Sequence, residues 1–181
     1  MRVLGLDLST ATGAAVVDQD KKVLFSEQIQ FKNLSGWPRC AAIAGRILGI
    51  YEQYKPDMVV IEGYGFANSN SLATLVEIGS IVRYFLWQEG IVPFDVPPNS
   101  LKSFVTGKGQ SKKEMMILEV YKNWGFTSPT NDIADAVGLG MFGLCCAGVP
   151  FSAAAKKTCS TVVKGQPAFV AHLRKSCIQC N

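Results

Sequence analysis

Residues 2–31, RVLGLDLSTATGAAVVDQDKKVLFSEQIQF, set the architecture of the chain. RVLGLDLS (2–9) is a short β-rich run, and TGAAVVDQDKKVLFSEQIQF (12–31) holds a second and a third strand with DQDKK as the turn between them. Strands joined this closely pair antiparallel, so the chain opens with a three-stranded meander. Within the first strand Asp7 stands among Leu4, Leu6 and Leu8, where an unpaired charge is costly.

The elements downstream extend this start. WPRCAAIAGRILGIYEQYK (37–55) has helical spacing, with Ala41, Ala44, Ile47, Leu48 and Tyr51 on one face and Pro38 in its first turn. PDMVVIEG (56–63) is the continuous apolar run of a buried parallel strand, and it ends in Glu62. SLATLVEIGSIVRYFLWQEG (71–90) is a helix that is apolar nearly all round; a sheet covers one side, so the other meets a further helix or a second subunit. IVPFDVPP (91–98) reads as a fifth strand closed by Pro97-Pro98. SKKEMMILEVYKNWG (111–125) reads as an amphipathic helix ended by Gly125, and SPTNDIADAVGLG (128–140) as the opening of a last helix. The order βββ-α-β-α-β-α-α is the layout of a ribonuclease H-like α/β fold: a five-stranded mixed sheet, three antiparallel strands then parallel ones, flanked by helices.

Four acids occupy informative places in that layout. Glu62 ends the central parallel strand, where open α/β sheets carry their sites. Asp132 and Asp135 are one turn apart on the last helix, with Cβ atoms roughly 5–6 Å apart and no counter-charge among Ile133, Ala134, Ala136 and Val137. The helix dipole offsets one such charge better than two. First and fourth strands are neighbours in this fold, so Asp7 and Glu62 can converge with the first turn of the last helix. Four carboxylates around one cavity require cations. Hard oxygen donors without histidine or cysteine indicate Mg²⁺ or Mn²⁺, and two ions about 3.5–4 Å apart suit phosphodiester hydrolysis.

The totals narrow the class. A chain of 181 residues with 48% hydrophobic and 18% charged residues is one domain with a sizeable core. With no apolar run long enough to span a bilayer and no signal-peptide pattern, a soluble intracellular protein with no membrane partner is expected. Of the 18 basic residues five lie from Gly148 onward (Lys156, Lys157, Lys164, Arg174, Lys175) against no acid, leaving 13 against 14 acids elsewhere. A basic tail on a nearly neutral body points to a polyanionic partner or to a solvated tail. The six cysteines read as reduced thiols or ligands rather than a disulfide framework. Cys145 and Cys146 read as buried small hydrophobes, whereas Cys159, His172, Cys177 and Cys180 can ligate structural Zn²⁺, the last two forming a C-x-x-C in an otherwise non-standard spacing.

GLDLSTATGAAVV at the first hairpin, VVIEGYGF at the fourth strand and NDIADAVGLG at the last helix together resemble the RuvC-type Holliday junction resolvases. The resemblance covers about residues 2–147. It implies that Asp7, Glu62, Asp132 and Asp135 are metal-binding catalytic residues. It also implies a homodimer, paired through helix 71–90, that nicks a four-way DNA junction symmetrically. Lys102 and Lys113 fall where the family has lysines near the scissile phosphate; Lys108 and Lys112 have no such counterpart but can contact the DNA backbone. The family places an aromatic just after its glutamate; here Gly65 holds that spot, flanked by Tyr64 and Phe66, either of which can stack on bases. The expected division is a nuclease domain over 1–147 and a basic, cysteine-containing tail over 148–181. The resemblance stops before the tail.

Three rivals stand beside this reading. The same acids would serve a nuclease acting on RNA–DNA hybrids or on other branched DNA. The first hairpin also resembles a phosphate loop of sugar kinase and actin-like ATPases, but those need two such domains. A non-catalytic junction-binding protein would not need all four acids.

Overall fold

The computed structural model describes residues 1–64 and 69–166, without the side chains of residues 69–71 and 113. The opening meander is β1 (Arg2–Asp7), β2 (Thr12–Asp18) and β3 (Val23–Ile29). It is followed by α1 (Gly36–Tyr54), β4 (Met58–Glu62), α2 (Ser69–Gln88) and β5 (Phe94–Val96). Four helices complete the described chain: α3 (Pro98–Thr106), α4 (Lys113–Trp124), α5 (Asn131–Cys146) and α6 (Ala153–Lys164). The sheet runs β3-β2-β1-β4-β5. β1–β2 and β2–β3 pair antiparallel, β1–β4 and β4–β5 parallel. This is the five-stranded mixed sheet of a ribonuclease H-like fold.

Two helices were not foreseen. α3 starts on the Pro97-Pro98 pair read above as a strand closure; Pro98 sits at its first turn, where the missing N–H costs nothing, and Gly107 caps it in the left-handed region at φ 77°. The strand before it is shorter than its apolar run suggests, Phe94–Val96 only. α6 lies within the basic stretch, where Ala155, Cys159 and Val162 are spaced to bury one face of an otherwise polar segment.

Strand alternation divides the core in two. Leu4, Leu6, Ala14, Val16, Val59 and Ile61 face α1 and α2. Val3, Ala15, Val17, Met58, Val60, Phe94 and Val96 face α3, α5 and α6, and α4 joins that layer through Met116 and Val120. α5 is the central helix of that layer, buried from Ile133 to Cys145 at every position but Asp135. Among the described residues no helix is long and apolar enough to cross a membrane.

Candidate active site

The site end of the sheet is set by β1, β2 and β4. Side chains alternate along a strand, so Gly5 and Asp7 lie on the face of Val3, and Glu62 on the face of Val60, which is the face that α5 covers. β1 and β4 pair in parallel up to Leu6↔Ile61, which makes Asp7 and Glu62 the next neighbours across the strands. Each stands at the C-terminal end of its strand.

Two glycines bring α5 onto this pair of strands. A Cβ on Gly5 would collide with the carbonyl oxygen of Ala136 and lie 2.6 Å from the backbone nitrogen of Gly140. A Cβ on Gly13 would collide with the carbonyl oxygen of Asp132 and lie 3.1 Å from the nitrogen of Ile133. Gly13 is the register partner of Asp7. The backbone of the first turn of α5 therefore rests on the strand beside Asp7. The turn before Gly13 is tied by the fully buried Thr12, whose hydroxyl donates to the Ser9 carbonyl at 2.7 Å and accepts from the Ser9 amide at 3.2 Å. At the other side of the contact, Thr130 caps α5, its hydroxyl accepting from the Ile133 amide at 3.2 Å.

Asp132 thus sits in the first turn of α5, where the helix dipole favours a carboxylate. Its Oδ2 accepts from the Gln28 side-chain amide at 2.6 Å. Gln28 is the β3 partner of Gly13, which puts its side chain on the α5 face. Nothing in the sequence singles Gln28 out, because the β2–β3 register shifts between Val16 and Val17 and so cannot be counted from the turn. Among the described residues no three His, Cys, Asp or Glu side chains form a group that could hold a metal ion. The donor chemistry nevertheless suits a hard divalent ion, since Asp7, Glu62, Asp132 and Asp135 offer carboxylate oxygens alone. The arrangement brings Asp7, Glu62 and the Asp132 turn to one end of one face.

A family model for crossover junction endodeoxyribonuclease RuvC matches residues 3–142. The chain belongs to the RuvC family. A RuvC of Prochlorococcus marinus strain NATL2A is 25% identical over 151 residues, covering 80% of this chain and 98% of its own length. A RuvC of Synechococcus sp. strain CC9605 is 27% identical over 148 residues, covering 78% and 96%. Thermus thermophilus RuvC, solved in complex with a Holliday junction substrate, superposes with a TM-score of 0.69 at 23% identity, covering 78% of this chain and 91% of that one. The RuvC match includes all four acids and stops before α6.

The basic residues named from the sequence lie in the same layer as α5. Lys102 is half-buried on α3, while Lys108 and Lys112 are exposed on the loop to α4. That loop is stapled by Thr106, whose hydroxyl donates to the Lys108 carbonyl at 3.0 Å, and by Ser111, which donates to the same carbonyl at 2.8 Å. Gly109 lies against Asn99, its Cβ position 3.3 Å from the Asn99 carbonyl oxygen. Asn99 follows β5 closely, and Val96 of β5 pairs with Glu62, so the loop folds back to the site end of the sheet. Lys113 opens α4, and its side chain lies outside the described residues.

Tyr64 packs on α2: a Cβ on Gly79 would collide with its hydroxyl oxygen. The hydroxyl accepts from Arg83 at 3.2 Å, and the guanidinium stands 5.1 Å from the ring centre. Arg83 also holds Asp95 of β5 at 2.5 Å. Phe66 lies outside the described residues. Of the zinc candidates, Cys159 is buried, its thiol 3.8 Å from the Phe142 carbonyl, and His172, Cys177 and Cys180 lie outside the described residues. Cys145 is buried beside Cys159, and the hydrogen bond between them together with burial pushes the Cys145 thiol well above its ordinary range. Cys40, Cys145, Cys146 and Cys159 are free thiols.

Proposed function

We propose that the protein is a homodimeric, metal-dependent endonuclease that resolves four-way DNA junctions by paired, symmetric nicks. The single observation that carries this reading is the backbone contact at Gly13, which sets the Asp132 turn beside the strand ends bearing Asp7 and Glu62. Membership of a nuclease family, and a fold shared with a RuvC solved on a Holliday junction, support it.

In this reading Asp7, Glu62, Asp132 and Asp135 are the ligands of two Mg²⁺ or Mn²⁺ ions. Bound there, such ions supply Lewis-acid activation of water and neutralise charge on the phosphodiester. The chain's own part is to hold the carboxylates on rigid elements, two on strand ends and two on a helix seated on glycine. Lys113 is assigned to the scissile phosphate, and Lys102, Lys108 and Lys112 to flanking phosphates, where they add affinity without reading sequence. α2 is assigned to the dimer, since Val76, Tyr84 and Trp87 are exposed on it at 41%, 52% and 67%. An isologous pair built on that stripe has the two-fold symmetry of a junction.

The test is strand cleavage of a synthetic four-way junction with Mg²⁺, beside linear duplex, an RNA–DNA hybrid and the Asp132→Asn variant. Paired nicks in the junction, absent from the variant while junction binding persists, are the expected result. Cleavage of the hybrid alone would move the function to RNA removal. Binding lost in step with cleavage would make the acids structural.

A further inference from the structure

α6 packs on α3 and α5 through Ala155, Cys159 and Val162. Its other side is exposed and carries Lys156, Lys157, Ser160, Thr161 and Lys164. At 100° per residue these five positions fall within an arc of about 140°, opposite the buried triad. Among the described residues the three lysines enter no ion pair. Neither α6 nor the neighbouring α3 contains an acid, and there is none in the sequence after Asp135.

The helix has a defined course relative to the candidate active site. It begins near the far end of the sheet, where Lys21 of the β2–β3 turn stands 4.4 Å over the ring of Phe151, just ahead of α6. It ends at the site side, where the Gln166 side-chain amide donates to the carbonyl of Asp95 at 2.5 Å, one residue before the Val96 that pairs with Glu62. From Lys156 to Lys164 the lysine stripe extends about 12 Å along the helix axis. That length matches three to four base-pair steps of duplex, over which DNA presents about seven phosphate charges.

We infer that α6 is a second DNA-backbone surface, one that grips the duplex arm leaving the active site, outside the segment matched by the RuvC family. Lysines supply the charge, and the Ser160 and Thr161 hydroxyls supply neutral donors to phosphate oxygens. The inference rests on the junction-nuclease reading above.

The experiment compares the full-length protein with the Lys156→Gln/Lys157→Gln/Lys164→Gln variant in junction binding across a salt series without divalent ion, and in cleavage with Mg²⁺ at saturating junction. Each phosphate contact contributes about 0.9 to the slope of log K against log salt, so the variant is expected to lose about 2 to 3 from the slope with its saturated cleavage rate retained. The triple arginine variant should keep the wild-type slope. Lys55→Gln, on the α1 side of the sheet, should also leave it unchanged. An unchanged slope in the glutamine variant, with the wild type binding and cutting normally, would overturn the α6 surface alone. An equal loss in Lys55→Gln would overturn it too, as bulk charge. A wild type that neither binds nor cuts branched DNA would bring down the nuclease reading and α6 with it.

Discussion

At the scale of single residues, the site depends on what is missing at positions 5 and 13. Side chains normally stand between a helix and the sheet it covers and hold the two backbones apart. Gly5 and Gly13 remove that spacer, so the backbone of α5 touches β1 and β2, and Thr12 fixes the turn that presents Gly13. Gly13→Ala would place a methyl group against the Asp132 carbonyl, which is backbone and cannot swing aside. Overpacking of this kind costs about 1–3 kcal/mol, and here the strain falls on the turn that carries Asp132. We expect a lower urea midpoint with the slope unchanged, together with a loss of junction cleavage larger than the loss of stability accounts for. Cleavage intact in the folded variant would show that the close approach matters for stability alone.

Among elements, Arg83 ties the segment after Glu62 to α2 and β5. One guanidinium joins the residue two beyond Glu62, the carbonyl of Gly79 in α2 and the carboxylate of Asp95 in β5. Tyr64 is therefore engaged with α2 through its hydroxyl and its ring, while 46% of it stays exposed. A double-mutant cycle on Tyr64→Phe and Arg83→Gln, read by urea unfolding, is expected to give a coupling of about 0.5–1 kcal/mol; the value is modest because both groups are partly exposed. Additive effects would mean that the clasp is not formed in solution.

At the scale of the whole molecule, α2 leaves an apolar stripe exposed among the described residues. Both sides of the sheet are covered, yet Tyr84 and Trp87, stacked with ring centres 6.3 Å apart, are exposed on α2. Burying aromatic surface of this kind is a strong drive for association. Trp87→Glu should shift the protein from dimer to monomer in sedimentation equilibrium while circular dichroism stays unchanged. On a junction it should replace paired nicks by single, uncoordinated ones. A wild-type monomer at micromolar concentration would refute the assignment of this face.

Elements whose pattern is local were legible in the amino-acid order alone. Short β-rich and continuous apolar runs placed β1, β2 and β4, the polar DQDKK turn separated β2 from β3, and Asp7 was legible as a charge within an apolar strand and Glu62 as one at a strand's end. Helical spacing revealed α1, α2, α4 and α5. What was not legible depends on contacts between distant segments. The nine residues of α3 are too few for periodicity to show. α6 reads as a solvated basic tail until α3 and α5 give its three apolar positions something to bury against. Gln28 meets Asp132 across a separation of 104 residues and through a shifted register, so no local rule could pair them. The glycines at 5 and 13 look like ordinary strand punctuation, and only the docking of α5 shows that they set the distance between helix and sheet. Hydrophobic pattern specifies which face is buried; tertiary packing alone decides how closely, and against which partner.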